Sequence, residues 1–177
     1  MHKDTLRLIL FIECNLRCTY CCNDNEKFSS MFLKARFNEI NFDKYENICI
    51  TGGEPFLYKK LLYWVLNKIP TRQSIYLYTN GLRISNGDIG KLQRYPNIKC
   101  INVGLHTSKQ LNGVNKNLEL HLPVRFMAQE SKLESFIKLY PERLNRENVK
   151  SWRLNECNLL NEDWILLEDI VLDLLKY

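Results

Sequence analysis

The chain has 177 residues, of which 45% are hydrophobic and 25% charged, with a formal net charge of +5. This balance is typical of a globular protein rather than a disordered or fibrous one, and the length favours a single domain over residues 1–177. No segment approaches the roughly 18 uninterrupted apolar residues that a membrane span needs, and the amino terminus lacks a secretory signal, so we expect a cytoplasmic protein without membrane contact.

The basic residues are spread along the chain, which predicts a solvated surface and no nucleic-acid partner, with an anionic substrate as a secondary interpretation. The seven cysteines are odd in number and unevenly spaced, so they do not fit the disulfide framework of a small secreted protein. Cys49 and Cys100 lie within apolar runs and are predicted to be core residues. Cys157 follows the last predicted strand, and we expect it to be inert, with a position near the motif cysteines as the alternative.

Six short β-rich runs are predicted to be strands. They cover residues 5–12, 47–50, 74–78, 99–105, 123–128 and 149–154. Most of them are almost continuously apolar, which favours parallel strands that are covered on both faces.

Helical patterns separate several of these runs. Residues 57–69 repeat apolar side chains at helical spacing and stop at Pro70, and Ser131 with Glu134 has the spacing of a capping box that would open a helix ending near Tyr140. Residues 23–41 read as a loop with a short helix, and residues 107–121 as irregular. A last helix is predicted from Asn161, because acidic residues follow it and an apolar stripe continues from there. The stripe comprises Trp164, Leu167, Val171, Leu174 and Leu175.

Three cysteines, Cys14, Cys18 and Cys21, lie on one short loop directly after the first strand. Three thiolates can hold three irons of a four-iron, four-sulfur (4Fe-4S) cluster and leave the fourth iron open, whereas structural clusters and zinc sites normally take four protein ligands. Cys22 could be a fourth ligand, but adjacent side chains in an extended loop point apart, so we interpret it as a buried or reserve thiol. A zinc-binding or merely packed loop remains an alternative.

Two further motifs follow the second and third strands, at residues 51–55 (TGGEP) and 79–81 (TNG). The carboxyl ends of parallel strands are where α/β sheets present ligand sites. Gly52 and Gly53 permit a tight turn and a close approach to a ligand, and Glu54 would accept hydrogen bonds from an ammonium group. Asn80 is a predicted rim residue, although Asn-Gly is also a common turn.

The order of the cysteine loop, TGGEP and TNG resembles the radical S-adenosylmethionine (SAM) superfamily. The resemblance implies an α/β fold, an open partial TIM-like barrel of six parallel β/α units. It also implies that Cys14, Cys18 and Cys21 hold a 4Fe-4S cluster whose open iron binds the amino and carboxylate groups of S-adenosylmethionine. One electron, from a donor such as flavodoxin or ferredoxin, would then release a 5′-deoxyadenosyl radical that takes hydrogen from a substrate.

Other candidate site residues follow from the same resemblance and from their positions on the predicted strands. Tyr20 matches the family's aromatic position near the adenine, and His106 ends the fourth strand, where the family often places a polar group against the ribose. Arg125 interrupts an apolar strand and would meet the cofactor carboxylate, an anionic substrate or a structural carboxylate. We nominate no catalytic side chain. Polar groups on the sixth strand that would face the substrate are Arg153, Asn155 and Glu156.

Three functions are compatible with these motifs. The first is a radical enzyme that acts on a small molecule, for which a nucleotide derivative is one candidate class. The second is an activating enzyme that makes a glycyl radical on a partner protein. The third is a non-catalytic protein in which the loop binds zinc or an iron-sulfur cluster for regulation.

Overall fold

The structure is a computed structural model that describes residues 3–152 and 161–168. Within these ranges short strands alternate with short helices. The strands are β1 (Thr5–Ile9), β2 (Leu33–Ala35), β3 (Asn47–Thr51), β4 (Ser74–Thr79), β5 (Ile98–Leu105), β6 (Val124–Gln129), β7 (Val149–Trp152) and β8 (Glu162–Leu167). The helices are α1 (Glu26–Ser29), α2 (Lys59–Lys68), α3 (Asn86–Leu92), α4 (Gln110–Gly113), α5 (Asn117–His121) and α6 (Leu133–Leu139).

All strand pairs in the described ranges are parallel and belong to one sheet in the order β2-β8-β1-β3-β4-β5-β6-β7. The sheet is open, with β2 and β7 at its two edges. The predicted open, parallel α/β architecture is confirmed, and each of the six predicted strands is present. Two strands that the sequence did not indicate, β2 and β8, extend the sheet beyond β1.

The two faces of the sheet differ in chemistry. On the helix-covered face, side chains such as Leu8, Ile50 and Leu77 are completely buried in the core. The opposite face, called here the inner face, carries larger and more polar side chains at the alternate positions, among them Tyr78 on β4 and Asn102 on β5, which lie opposite each other in register. Along β4, buried residues alternate with partly exposed ones. The prediction that both faces are covered is therefore correct only for the apolar face, because the inner face lines a cavity.

The helix predicted from Asn161 was wrong, because residues 162–167 form β8, which pairs with β1. The acidic residues that looked like a helix start are used in tertiary contacts instead. Glu162 accepts a hydrogen bond of 2.7 Å from Arg7, and Asp163 accepts one of 2.9 Å from the Tyr45 hydroxyl. Long-range ion pairing therefore overrode local helix preference. Of the proposed stripe, Val171, Leu174 and Leu175 lie outside the described residues.

The predicted helices over residues 57–69 and 131–140 are present as α2, preceded by a turn at Pro55–Leu57, and as α6. The capping box proposed for α6 was wrong, since the residue that precedes the helix is Lys132, without a side-chain cap, and Glu134 pairs with Arg146. A capping box forms instead between Ser85 and Asp88, at the start of α3, which the sequence analysis missed.

The short helix expected within residues 23–41 is α1, and the stretch 107–121 contains the short helices α4 and α5. None of the described helices has the length and apolar character needed to cross a membrane.

Candidate functional site

A cavity of about 370 Å³ lies at the carboxyl edge of the sheet, within the range typical of ligand pockets. It is bounded by the cysteine loop and by the loops after β3, β4 and β5. A larger and more open hollow, of about 720 Å³ around Phe42 and Trp64, contains none of the predicted site residues. The predicted residues that line the smaller cavity are Cys14, Cys18, Tyr20, Cys21, Gly52, Gly53, Asn80 and His106.

The cysteine loop presents its three motif thiols to this cavity, and all three are free. A backbone hydrogen bond of 3.1 Å from the Cys21 amide to the Cys18 carbonyl forms a turn within the loop. Burial raises the pKa of Cys14, and burial together with Cys14 and Cys21 raises the pKa of Cys18 to about 11. A bound metal reverses this tendency, because it stabilises the thiolate. Cys22 lines the same cavity.

The donor set fits an iron-sulfur cluster, because soft thiolates are its usual protein ligands and these converge on one cavity from one loop. Among the described side chains, no group of three or more His, Cys, Asp or Glu residues is arranged to hold a single metal ion. The fit to a cluster therefore rests on the thiol donors and on their shared loop.

The two glycines of the TGGEP segment lie directly against the backbone of the cysteine loop. The Gly53 amide donates to the Phe11 carbonyl at 2.7 Å, and the Glu54 amide donates to the Glu13 carbonyl at 2.9 Å. A Cβ added at Gly53 would lie 1.8 Å from the Glu13 oxygen, and one at Gly52 would lie 2.9 Å from that of Phe11. These glycines thus permit a close approach to the backbone of the cysteine loop as well as to the cavity.

Glu54 is completely buried and does not line the cavity. Its carboxylate accepts hydrogen bonds from the Thr79 hydroxyl at 2.7 Å, the Asn80 amide at 2.7 Å and the Phe56 amide at 3.1 Å. Burial raises the pKa of Glu54, and these hydrogen bonds oppose that shift. The hydrogen bonds of Glu54 therefore connect the loops after β3 and β4. Its carboxylate does not face the cavity, where an ammonium group was expected to bind.

Asn80 connects the loop after β4 to the cysteine loop. Its side-chain nitrogen donates to the Asn15 side-chain oxygen at 2.8 Å and lies 3.9 Å from the Cys14 sulfur. Its side-chain oxygen accepts from the Leu82 amide at 3.0 Å. The chain turns at Gly81, whose φ of 77° is in the left-handed region that favours glycine.

Gln110 is a site residue that sequence reasoning missed. This buried side chain donates to the Asn80 carbonyl at 2.7 Å and accepts from the His106 amide at 2.8 Å, so it joins the loops after β4 and β5. It precedes no recognisable motif, and only its three-dimensional contacts identify it.

Tyr20 and His106 form an aromatic cluster at the outer end of the cavity. The Tyr20 hydroxyl donates to the His106 carbonyl at 3.3 Å, and the two ring centroids lie 5.7 Å apart. Trp152 lies 5.4 Å from the Tyr20 ring, and the Lys132 ammonium lies 5.0 Å from the same ring. Burial, and then the Lys132 charge, lowers the pKa of His106, so its imidazole is neutral at physiological pH.

Arg125 is exposed on the inner face of β6 and does not line the cavity, so the structure does not bring it together with the other candidates. The predicted residues of the sixth strand and the isolated cysteine near it lie outside the described residues. These are Arg153, Asn155, Glu156 and Cys157. Cys49 and Cys100 are buried, as predicted.

Comparison with known proteins relates the chain to one family. The model of the radical SAM superfamily matches residues 8–128. The chain is 33% identical over 117 residues to a GTP 3′,8-cyclase of Clostridium perfringens, an alignment that covers 60% of this chain and 36% of the relative. It is 30% identical over 123 residues to a 7-carboxy-7-deazaguanine synthase of Methanothermobacter thermautotrophicus, covering 65% of this chain and 49% of that one.

Among solved structures, the fold resembles Streptococcus suis SuiB bound to S-adenosylmethionine, with a TM-score of 0.51 and 16% sequence identity. The similarity covers 94% of this chain and 48% of the SuiB chain. The alignments with these three proteins thus reach across half or less of each.

Proposed function

Because the chain belongs to the radical SAM superfamily, we propose that it is an enzyme that uses S-adenosylmethionine to start radical chemistry on a small, nucleotide-derived substrate. When bound, a 4Fe-4S cluster and S-adenosylmethionine supply a 5′-deoxyadenosyl radical that removes a hydrogen atom from the substrate. The observation that carries the proposal is the convergence of three motif thiols, two motif glycines and Asn80 on one cavity at the carboxyl edge of the sheet.

In this proposal Cys14, Cys18 and Cys21 hold the cluster. The surrounding loops keep them in place, since the glycine backbone bonds to the start of the cysteine loop and Asn80 bonds to Asn15 within it. The third sulfur position depends on the turn at Cys18, which the backbone hydrogen bond from Cys21 closes. Such fixed loops reduce the rearrangement that ligand binding would otherwise require.

The aromatic side chains at the cavity mouth position the cofactor and exclude solvent. Tyr20 and His106 both line the cavity with their rings 5.7 Å apart, so a flat adenine ring would find aromatic neighbours there. The neutral imidazole of His106 offers a hydrogen bond without adding charge. Water and stray hydrogen donors must be kept out of such a site, because a carbon radical reacts with them.

The relatives support the substrate class. One is named a GTP cyclase and the other a deazaguanine synthase, and both names denote chemistry on purine-derived compounds. The free thiols of Cys14, Cys18 and Cys21 favour a reducing, cytoplasmic compartment, and flavodoxin or ferredoxin is the kind of protein that would deliver the electron.

Anaerobic reconstitution with iron and sulfide tests the proposal. The wild-type protein should take up about four irons per chain and form 5′-deoxyadenosine from S-adenosylmethionine under reductant. Cys18→Ala should lose both properties, whereas Cys22→Ala, altered on the same loop, should keep them. Loss of the cluster in Cys22→Ala, or a fully loaded protein that never forms 5′-deoxyadenosine, would contradict the proposal.

A further inference from the structure

The inner end of the cavity, below the loops that carry the motifs, is built from the middle of the strands. Arg7 on β1, Tyr78 on β4, Asn102 on β5 and Trp164 on β8 line it from the inner face of the sheet. Arg7 and Trp164 are paired in register across neighbouring strands, as are Tyr78 and Asn102. None of these residues belongs to the motifs that hold the cluster or line the rim.

The charge of Arg7 is already matched within the protein. Its guanidinium forms two hydrogen bonds to the Glu162 carboxylate, at 2.7 Å and 3.2 Å, and both side chains are nearly buried. The guanidinium carbon lies 4.6 Å from the centre of the Tyr78 ring and 4.8 Å from that of Trp164, so aromatic rings hold it as well. An anionic ligand group beside this pair would find no free positive charge, because Glu162 already neutralises Arg7.

Two of the described residues that line the cavity each carry a buried hydrogen-bond donor without an acceptor. Among the described residues, neither the Asn102 side-chain nitrogen nor the Trp164 indole nitrogen has a hydrogen-bond partner. Asn102 is 2% exposed and Trp164 is 8% exposed, and buried donors are almost always paired in folded proteins. The Asn102 oxygen already accepts from the Cys100 thiol at 3.7 Å, which leaves its nitrogen for another group.

The environment of Trp164 limits what could approach it. The Phe32 ring stacks on Trp164 at 5.5 Å with an angle of 13°, and the Arg7 guanidinium lies over the same indole. Both neighbours cover the indole ring, and its N–H is the part of Trp164 that has no partner in the described ranges. A ligand group at the inner end of the cavity should therefore be a hydrogen-bond acceptor. It should not be an aromatic ring that stacks on Trp164.

We propose that the inner end of the cavity binds the neutral, acceptor-bearing edge of the substrate's heterocycle, such as the carbonyl and ring nitrogens of a purine, through Asn102 and Trp164. This inference rests on the proposed function and adds the orientation of the substrate. The base enters first, and charged phosphates remain at the outer end of the cavity, where Lys132 lies over Tyr20.

Binding measurements test this orientation without requiring turnover. The probes are guanosine, GTP and inorganic triphosphate, titrated calorimetrically into the anaerobic, cluster-loaded protein. Guanosine and GTP should bind, and triphosphate alone should not. Asn102→Leu and Trp164→Phe should each weaken guanosine and GTP binding about tenfold, as expected for a lost hydrogen bond, while the affinity for S-adenosylmethionine stays the same.

A matched control is Trp64→Phe, because Trp64 packs against Phe37 on the helix-covered side and does not line this cavity. It should leave guanosine affinity unchanged. Unchanged affinity for S-adenosylmethionine in Asn102→Leu and Trp164→Phe would show that both variants are folded.

Three results would overturn the inference: triphosphate binding as tightly as GTP, no binding of guanosine or GTP, or unchanged guanosine affinity in both inner-cavity variants. Each can occur while 5′-deoxyadenosine is still formed, in which case the proposed radical chemistry stands. Conversely, guanosine binding that depends on Asn102 in a protein that forms no 5′-deoxyadenosine would uphold the subsite and contradict the proposed function.

Discussion

Gly53 shows how one missing side chain holds two parts of the site together. Its amide bonds to the Phe11 carbonyl at 2.7 Å, and any Cβ at this position would overlap the Glu13 carbonyl oxygen at 1.8 Å. The neighbouring atoms are backbone, so they cannot move aside as the end of a flexible side chain would. The requirement for glycine is therefore set by packing between loops, and its φ is not in the left-handed region.

We expect Gly53→Ala to lower the free energy of unfolding by about 3 kcal/mol, the upper part of the range for overpacking. It should also reduce the iron content after reconstitution, because the displaced backbone belongs to the cysteine loop. Urea unfolding and iron analysis measure the two effects. Gly90→Ala is the matched control: Gly90 lies within α3 with no atom within 4 Å of a Cβ, and alanine should stabilise that helix by about 0.5–1 kcal/mol.

Glu54 provides a second test at the residue scale. Its two carboxylate oxygens accept three hydrogen bonds, whereas glutamine would place an amide N–H against at least one of the same donors. We expect Glu54→Gln to cost about 1–3 kcal/mol of unfolding free energy, because a buried donor loses its acceptor. It should also weaken S-adenosylmethionine binding by displacing Asn80. Glu134→Gln, at an exposed ion pair with Arg146, should change stability by less than about 1 kcal/mol.

At the scale of elements, Asp88 ties α3 to α2. Its carboxylate bonds to the Ser85 amide and hydroxyl at the start of α3, and to the Lys59 ammonium and Tyr63 hydroxyl on α2. Burial alone would raise the pKa of Asp88, but these hydrogen bonds outweigh burial and hold the pKa below its ordinary value of 3.8. The helix start and the helix pair therefore depend on the ionised form.

The sign of the pH effect follows from that lowered pKa. The unfolded chain binds the proton more readily than the folded protein, so Asp88 contributes stability above pH 3.8, which is lost as the pH falls through the lower folded value. We expect Asp88→Asn to lower the free energy of unfolding by about 2 kcal/mol at pH 7. Urea titrations should show the difference from wild type shrinking below pH 3.8; a difference that is constant with pH would contradict this assignment.

The strand β8 is joined to β1 by backbone hydrogen bonds and by a largely buried ion pair between Arg7 and Glu162. The Glu162 side chain is 12% exposed, and it neutralises a guanidinium that is 14% exposed. We expect Glu162→Gln to destabilise the protein by about 3 kcal/mol, because it leaves the charge of Arg7 unmatched in the interior. Glu168→Gln is the control, since Glu168 lies 3.6 Å from Lys34 at the surface, and urea unfolding should show a change below about 1 kcal/mol.

At the scale of the whole molecule, the parts that could be predicted are those encoded locally. Six strands were recognisable as apolar runs, and the ligand motifs follow strand ends, where a parallel sheet gathers them at one edge. The strand β8 could not be predicted, because its acidic residues find partners more than a hundred residues away, at Arg7 and Tyr45. Gln110 could not be found either, since its role consists of hydrogen bonds to two other loops.

A ligand that binds only the folded protein raises the stability of the whole fold. S-adenosylmethionine that binds only the folded, cluster-loaded protein should add about 2.7 kcal/mol of stability at a concentration one hundred times its Kd. For a chain of this size that corresponds to a rise of roughly 5–10 °C in Tm, which anaerobic scanning calorimetry measures.

Removal of iron should abolish that rise, because the open iron position that would bind the amino and carboxylate groups of S-adenosylmethionine is then missing. Cys18→Ala should behave like the iron-free protein, and Cys22→Ala like the loaded wild type. An equal rise in Tm without iron would mean that the loops alone bind S-adenosylmethionine. The cysteine loop would then be no more than a scaffold, and the open iron position would have no part in holding the cofactor.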